Sequence, residues 1–222
     1  MKPTTTLATC RTPDGSTLLL QQHDGHYFLR IDGVPLMSTI AAASEQQMAE
    51  LACVDLPAEP RILIGGLGFG FTLRRVLELC PQIATVDVAE LLQEVLDWNR
   101  EFLIEVNGRC VDDPRVTVHT CDVGDLIERC GARRYHAILL DVDNSPDPLV
   151  QQSNERLYNR AGIARIHAAL YPGGRVVYWS AKRDAEFTRS LEKTFKKVEC
   201  IAAKAYPQAK RFSHSLFIAD RD

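Results

Sequence analysis

The sequence lacks the features that direct a protein to nucleic acid or into a membrane. Its 29 acidic residues outnumber its 26 basic residues, and the net charge of −3 gives no general attraction for a polyanion. No apolar run approaches the roughly 20 residues of a membrane helix. The opening Met1-Lys2-Pro3-Thr4 does not begin a signal peptide. We therefore expect a cytoplasmic protein with no nucleic-acid and no membrane partner.

The sequence also lacks the cysteine spacing of a metal site. Its seven cysteines are odd in number and scattered, and no two form a CxxC pair. Zinc sites usually take closely spaced cysteine or histidine pairs, so we expect no metal. Free thiols in a reducing compartment fit this pattern best.

The sequence does contain a run of glycines directly after an apolar segment. Residues 61–64 predict a buried strand, and residues 71–79 predict a helix. Four glycines lie between them, at Gly65, Gly66, Gly68 and Gly70. A strand, a glycine turn and a helix start form a nucleotide cradle, because glycine permits positive φ and lets a ligand approach the backbone. The alternative is an ordinary strand-to-helix turn, since the pattern alone is weakly specific.

An acidic residue follows at the spacing expected of a nucleotide-binding fold. Residues 83–89 predict a second apolar strand, and Glu90 stands at its end, about 20 residues after the last glycine. A carboxylate there can accept hydrogen bonds from both hydroxyl groups of a ribose. The alternative is a solvated acid that caps the helix starting near Leu91.

Residues 1–55 predict a small antiparallel β-sheet followed by a helix. Strands are indicated at 16–22, 26–31 and 34–38. The helix at 44–52 would begin with a capping box formed by Ser44 and Gln47. We expect two domains, residues 1–55 and residues 56–222.

The rest of the chain alternates between strand and helix patterns. Predicted strands lie at 61–64, 83–89, 116–121, 135–140, 175–180, 198–203 and 213–219, and predicted helices at 70–80, 91–104, 122–130, 154–170 and 184–195. Five strand–helix units closed by a β-hairpin are the plan of class I S-adenosylmethionine-dependent transferases. The predicted fold is therefore α/β, with a mostly parallel Rossmann-like sheet, a closing antiparallel hairpin and a small N-terminal antiparallel sheet.

Short motifs between Leu29 and Ser180 carry a family resemblance. They are the glycine loop 64–70, Asp113-Pro114-Arg115-Val116, Leu157-Tyr158 at a helix start and Pro172-Gly173-Gly174 as a loop before the fifth strand. With these residues the chain resembles the spermidine synthase family, and more closely its short bacterial spermidine-synthase-like branch. The resemblance implies that Glu90 binds the ribose, that Asp122 lies beside the adenine and that Asp141 acts on the attacking amine.

The chain departs from that family at two acidic positions. Gly68 stands where the family's glycine loop has an acid that resembles an anchor for the donor's amino group. Asn144 stands where the family has the second acid of its acidic loop, and the adjacent Asp143 could substitute for it. Both losses fall on groups that bind a cationic polyamine. The sequence therefore predicts a weak or altered polyamine enzyme.

Asp141 and Asp143 are the predicted catalytic residues. A primary amine near neutral pH is mostly an ammonium and must lose a proton before it attacks a sulfonium carbon. Asp141 would accept that proton, and Asp143 would add negative charge that attracts cationic acceptors. The alternative for both is a helix cap or a merely orienting role. The predicted co-substrate-binding residues are Gly65, Gly66, Gly68, Gly70, Glu90 and Asp122.

Three functions remain open from the sequence. The first is a metal-independent transferase that uses S-adenosylmethionine or its decarboxylated form, most like a polyamine aminopropyltransferase acting on a small-molecule amine. The second is a small-molecule methyltransferase, which Gly68 favours because a missing acid tolerates the carboxylate of the intact donor. The third is a non-catalytic nucleoside-binding module. The resemblance also implies a homodimer, although the N-terminal elements that the family uses for it are shortened here.

Overall fold

The chain begins with a four-stranded antiparallel sheet. The computed structural model describes residues 3–80, 84–142 and 155–222. The strands of this N-terminal sheet lie side by side in chain order: β1 Thr5–Arg11, β2 Thr17–His23, β3 His26–Ile31 and β4 Val34–Ser38. The turns Asp24-Gly25 and Asp32-Gly33 take positive φ at both residues, as tight hairpins require. The sequence predicted β2 to β4 but not β1.

The rest of the chain builds a seven-stranded sheet. Its strands are β5 Arg61–Gly65, β6 Thr85–Glu90, β7 Val116–Thr120, β8 Tyr135–Leu140, β9 Leu170–Ser180, β10 Lys197–Ala203 and β11 His214–Asp220. Their order is β10-β11-β9-β8-β5-β6-β7. Strands β5 to β9 run parallel, whereas β11 pairs antiparallel with both β9 and β10. The predicted α/β fold, mostly parallel with a closing antiparallel hairpin, is confirmed.

Eight described α-helices connect and cover these strands. They are α1 Ala43–Ala52, α2 Phe71–Leu79, α3 Gln93–Glu101, α4 Ile104–Asn107, α5 Val123–Cys130, α6 Glu155–Tyr158, α7 Arg160–Ala169 and α8 Ala185–Glu192, with a 3₁₀ turn at Cys110–Asp112. The sequence predicted one helix where the chain forms α3 and α4, and one where it forms α6 and α7. Over the described residues, no helix is long and apolar enough to span a membrane.

Both faces of the large sheet are buried. Side chains alternate across a strand, so Ile62 and Ile64 of β5 pack in the core beneath α1 and α2. Leu63 faces the opposite way, into the core formed with α5, α7 and α8. Strands covered on both faces read as continuous apolar runs, which explains why β5 and β8 were visible in the sequence.

The N-terminal sheet packs against the large sheet's first helices rather than standing alone. Leu18 and Leu29 share a buried cluster with Phe69 of the glycine turn and Trp98 of α3. Helix α1 packs on α2 and β9. The division into domains 1–55 and 56–222 stays a prediction.

Two local predictions were wrong. No capping box begins α1, because its N-cap is Ala42 and Ser44 lies inside the helix, where its hydroxyl donates to Glu45. The predicted loop at 172–174 is part of β9, which starts at Leu170. The rings of His136 and Tyr171 stack 4.4 Å apart, and this contact holds the early part of β9 against β8.

Candidate active site

A cavity lies at the carboxyl ends of the parallel strands, where open α/β sheets bind their ligands. The N-terminal sheet and α1 close one side of it, and the glycine turn and the ends of β6, β8 and β9 form the other. Four carboxylates border this cavity: Glu45, Glu90, Asp122 and Asp141. Three of them were predicted from the sequence, and Glu45 was not.

Backbone angles and contacts within the protein determine the shape of the glycine turn. Gly66, Gly68 and Gly70 all have positive φ, which favours glycine. A Cβ at Gly66 would lie 2.3 Å from the backbone oxygen of Asp141, and one at Gly68 would lie 2.8 Å from Cε of Met37. Glycine is therefore needed for packing at Gly66, where the neighbour is backbone, whether or not a ligand also approaches. At Gly68 the positive φ favours glycine, and the neighbouring atom is the end of the flexible Met37 side chain.

Glu90 is held at the end of β6 by the glycine turn. Its side chain is 8% exposed. One carboxylate oxygen accepts the backbone N–H of Leu67 at 2.9 Å, and the other accepts the N–H of Leu92 at 3.0 Å. Burial raises the pKa of Glu90 above its ordinary value, and these N–H groups oppose that shift. Glu90 is therefore buried against the glycine turn rather than solvated, and its role in binding a ribose stays a prediction.

Asp122 begins α5 and is already well paired. Its carboxylate caps the helix by accepting the N–H of Gly124 at 2.6 Å and that of Asp125 at 3.4 Å. Arg156 forms an ion pair with it at 2.5 Å. Asp122 also borders the cavity beside Val123. The structure therefore gives this predicted adenine-side residue a structural role as well.

Asp141 follows β8 and faces the glycine turn. Its backbone N–H donates to the carbonyl of Gly65 at 2.9 Å, and its carboxylate accepts the hydroxyl of Thr72 at 3.3 Å. These contacts fix the carboxylate next to the start of α2 and inside the cavity. Asp143 and Asn144 of the acidic loop lie outside the described residues, so the second predicted catalytic residue stays a prediction.

Helix α1 contributes a carboxylate that the sequence did not single out. Glu45 is only 7% exposed and lines the cavity. Its Oε2 accepts the hydroxyl of Ser44 at 2.6 Å, and burial raises its pKa. The neighbouring Gln46 and Gln47 do not border the cavity. Which face of a short helix is buried depends on the elements that pack against it. The sequence of α1 alone did not show this.

Trp179 closes the cavity near the end of β9. Its indole Nε1 is buried without a hydrogen-bond partner in the described part of the chain. The ring lies 4.7 Å from that of His214, whose pKa burial lowers. Trp179 therefore gives the cavity an aromatic wall, with His214 packed against its ring.

His119 on the edge strand β7 has a structural partner. His119 contacts Asp87 at 2.8 Å, and the hydroxyl of Tyr135 donates to the same carboxylate at 3.1 Å. This buried group is not part of the cavity. The described residues include no cluster of three or more His, Cys, Asp or Glu side chains that could hold a metal ion. Metal independence stays a prediction.

Comparison with known sequences identifies the family. The family model for the spermine/spermidine synthase domain matches residues 42–211, which include α1, the glycine turn and every carboxylate of the cavity. The chain belongs to the spermine/spermidine synthase family. The resemblance inferred from the motifs is thereby confirmed.

Relatives within and around this family differ in activity. Putrescine N-methyltransferase 2 of Nicotiana attenuata is 31% identical over 131 residues, which cover 59% of this chain and 33% of that protein. The spermidine synthase of Coffea arabica is 28% identical over 149 residues, covering 67% and 45%. The chain spans about a third of the length of the first of these curated relatives. The similarity therefore includes both a spermidine synthase and a putrescine N-methyltransferase.

Solved spermidine synthases share the fold of this family member. A spermidine synthase in complex with the transition state analogue AdoDATO superimposes with a TM-score of 0.81 at 18% identity, covering 98% of this chain and 74% of that chain. The spermidine synthase of Thermotoga maritima gives a TM-score of 0.79, also at 18% identity, covering 98% and 73%. At this identity the likeness concerns the fold, and the roles of individual residues here stay predictions.

Proposed function

We propose that the protein transfers an alkyl group from an S-adenosylmethionine-type sulfonium to a small amine, most like a polyamine aminopropyltransferase. The single observation that carries this proposal is the meeting of Glu90 and Asp141 at one cavity beside the glycine turn. One carboxylate suits the ribose of a donor, and the other suits the amine of an acceptor. Family membership supports the same type of reaction.

The donor half of the site is suited to an adenosyl group. The backbone of Gly66 and Ala89 lies along one wall of the cavity, and Leu91 and Val123 offer apolar surface for a flat base. Glu90 would accept the ribose hydroxyls at its carboxylate oxygens. Asp122 would accept from the adenine amino group while it continues to cap α5.

In the acceptor half of the site, the amine has only to be positioned and to lose a proton. The leaving group of a sulfonium departs as a neutral thioether, so the transfer requires neither a metal nor an acid. Asp141 would take a proton from the attacking ammonium and hold the nitrogen toward the donor carbon. The hydroxyl of Thr72 donates to one of its carboxylate oxygens and helps to orient the group. Asp143 would add negative charge nearby.

Methyl transfer from intact S-adenosylmethionine is the second candidate. Gly68 and the overlying Met37 leave no carboxylate at this part of the glycine turn. An apolar wall repels the carboxylate of the intact donor less than an acid would. The putrescine N-methyltransferase relatives are consistent with this alternative.

Product analysis with each donor distinguishes the candidates. The protein is incubated with putrescine and decarboxylated S-adenosylmethionine, and separately with putrescine and the intact donor. Aminopropylated putrescine from the first mixture supports the proposal, and methylated putrescine from the second supports the alternative. Binding of methylthioadenosine without any product would favour a non-catalytic module. A cytoplasmic homodimer is part of the same proposal.

A further inference from the structure

We propose that Asn99 and Asn107 are positioning residues that hold the glycine turn in shape and thereby set the affinity of the site for its nucleoside co-substrate. The inference rests on the proposed use of an adenosyl donor, and it assigns part of the donor affinity to two side chains outside the cavity. Asn99 belongs to α3, and Asn107 is the last residue of α4. Neither lines the cavity.

Asn99 joins α3 to the glycine turn. The residue is fully buried. Its Nδ2 donates one hydrogen bond to the carbonyl of Gly68 at 2.8 Å and another to the carbonyl of Val95 at 2.8 Å. Both donors of the amide are therefore used, and one of them holds the turn. A trans peptide group keeps its C=O and N–H on opposite sides, so the bond to Gly68 also fixes the direction of the N–H of Phe69.

Asn107 determines which way round the amide of Asn99 lies. The backbone N–H of Arg109 donates to Oδ1 of Asn107 at 3.1 Å, and Nδ2 of Asn107 donates to Oδ1 of Asn99 at 2.6 Å. Because Oδ1 of Asn99 accepts this bond, its Nδ2 is the atom that faces the carbonyls. Both side chains are buried, so neither amide can turn over without leaving a buried polar group unpaired.

The turn that Asn99 holds is also the turn that contacts Glu90. Glu90 accepts the N–H of Leu67 at 2.9 Å, one residue before the Gly68 carbonyl that Asn99 binds. Gly70 lies against the same network, because a Cβ there would stand 3.2 Å from Oδ1 of Asn99. A movement of the turn away from Asn99 would consequently disturb both the Glu90 carboxylate and the glycine backbone that borders the cavity.

A binding site gains affinity when its backbone is already held in the shape that the ligand needs. Ordering a mobile turn on binding costs free energy, and a shift of well under 1 Å weakens hydrogen bonds to a ligand. The two asparagines remove that cost in the free protein by fixing the turn from outside the cavity. Their loss should therefore appear in ligand affinity as well as in stability.

Nucleoside binding to variants of this network tests the inference. Methylthioadenosine is titrated by calorimetry into wild type, Asn99→Leu, Asn107→Ala and Tyr135→Phe, at a temperature at which circular dichroism shows each protein to be folded. Leucine keeps the volume of Asn99 but cannot donate, whereas Asn107→Ala removes only the group that orients Asn99. Tyr135→Phe is the matched control, because it removes a buried hydrogen bond to Asp87 at a place that does not border the cavity.

Asn99→Leu is expected to weaken methylthioadenosine binding roughly tenfold or more, and Asn107→Ala roughly three- to tenfold. Amide hydrogen exchange of residues 65–70 in the ligand-free protein should become faster in both variants. Tyr135→Phe should lower Tm, keep the affinity within about threefold of wild type and leave the exchange of the turn unchanged. A purely structural role of the asparagines would instead lower Tm and leave the affinity of the folded protein as it is.

Wild-type affinity in folded Asn99→Leu would overturn the inference. If Asn99→Leu does not fold, Asn107→Ala decides, and wild-type affinity with wild-type exchange of the turn in that variant would overturn the inference equally. An equal loss of affinity in Tyr135→Phe would also overturn it, because any buried defect would then have the same effect. Failure of wild type to bind methylthioadenosine would instead contradict the proposed function on which the inference rests.

Discussion

Asp141 is the residue on which the chemistry depends. Its backbone is fixed by Gly65 and its carboxylate by Thr72, so Asp141→Asn should preserve the fold. Without a base, turnover should fall by roughly 10²–10⁴, while methylthioadenosine affinity changes little. Steady-state rates and calorimetry measure the two effects. Asp97→Asn, an exposed substitution on α3, serves as the control. Normal turnover in Asp141→Asn would show that another group removes the proton.

Glu90 is expected to contribute to both binding and stability. Replacement by alanine removes the ribose acceptor and also leaves the N–H groups of Leu67 and Leu92 without their charged partner. Hydrogen bonds to a charged group contribute about 1.5–3 kcal/mol each. Glu90→Ala should therefore weaken methylthioadenosine binding at least about tenfold and lower Tm by several degrees. The exposed neighbour Glu94 gives the control Glu94→Ala. Unaltered affinity would mean that Glu90 only supports the turn.

The buried carboxylate of Glu45 should lower the free energy of unfolding of the ligand-free protein at neutral pH. Its folded-state pKa is raised by burial, so the folded protein binds this proton more tightly than the unfolded chain does. Stability is consequently lost as pH rises from the unfolded pKa through the folded pKa. Glu45→Gln should melt above wild type at neutral pH, and the difference should shrink below about pH 4.5. Thermal melts across pH measure this, with Glu50→Gln as control. A lower Tm for Glu45→Gln at neutral pH would contradict this expectation.

At the scale of elements, we expect the glycine turn and β4 together to set the donor preference. A Cβ at position 68 would lie 2.8 Å from Cε of Met37, and the backbone there has positive φ, so Gly68→Asp alone should strain the turn and give little gain. Gly68→Asp combined with Met37→Ala opens the space and adds a carboxylate near the donor's amino group. The double variant should shift kcat/KM toward the decarboxylated donor by roughly ten- to a hundredfold, with Met37→Ala alone as control. The same ratio in both variants would show that position 68 does not face the donor.

The sequence patterns predicted best those strands whose two faces have the same surroundings. β5 and β8 are covered on both faces and read as unbroken apolar runs, so their positions were predicted closely. β1 at Thr5–Arg11 is mostly exposed and polar, which hides it. The capping box failed because α1 begins at Ala43, so Ser44 lies inside the first turn rather than at the N-cap. The capping-box rule describes the start of an isolated helix, whereas the first turn of α1 is buried in the folded protein.

At the scale of the molecule, the sequence predicted one half of the cavity better than the other. The spacing after the glycine run and the ends of β6 and β8 led to Glu90 and Asp141, because parallel strands deliver their carboxyl ends to one edge. Glu45 and Met37 reach the cavity only because the N-terminal sheet and α1 fold over that edge. Such packing between distant segments leaves no periodic pattern. The side of the cavity formed by the strand ends was therefore predictable, and the side formed by the N-terminal sheet and α1 required the structure.

The most direct test of the proposed alkyl transfer is one incubation of putrescine with both donors at equal concentration. Mass spectrometry then quantifies the alkylated amine and the nucleoside thioether. The account predicts that wild type forms the alkylated amine and the nucleoside thioether in equal amounts. Their formation should be slower than the turnover of about 1–10³ per second that is usual for enzymes. Asp141→Asn should form only a small residual amount of either product. Putrescine recovered unchanged, with no thioether released from either donor, would contradict the account.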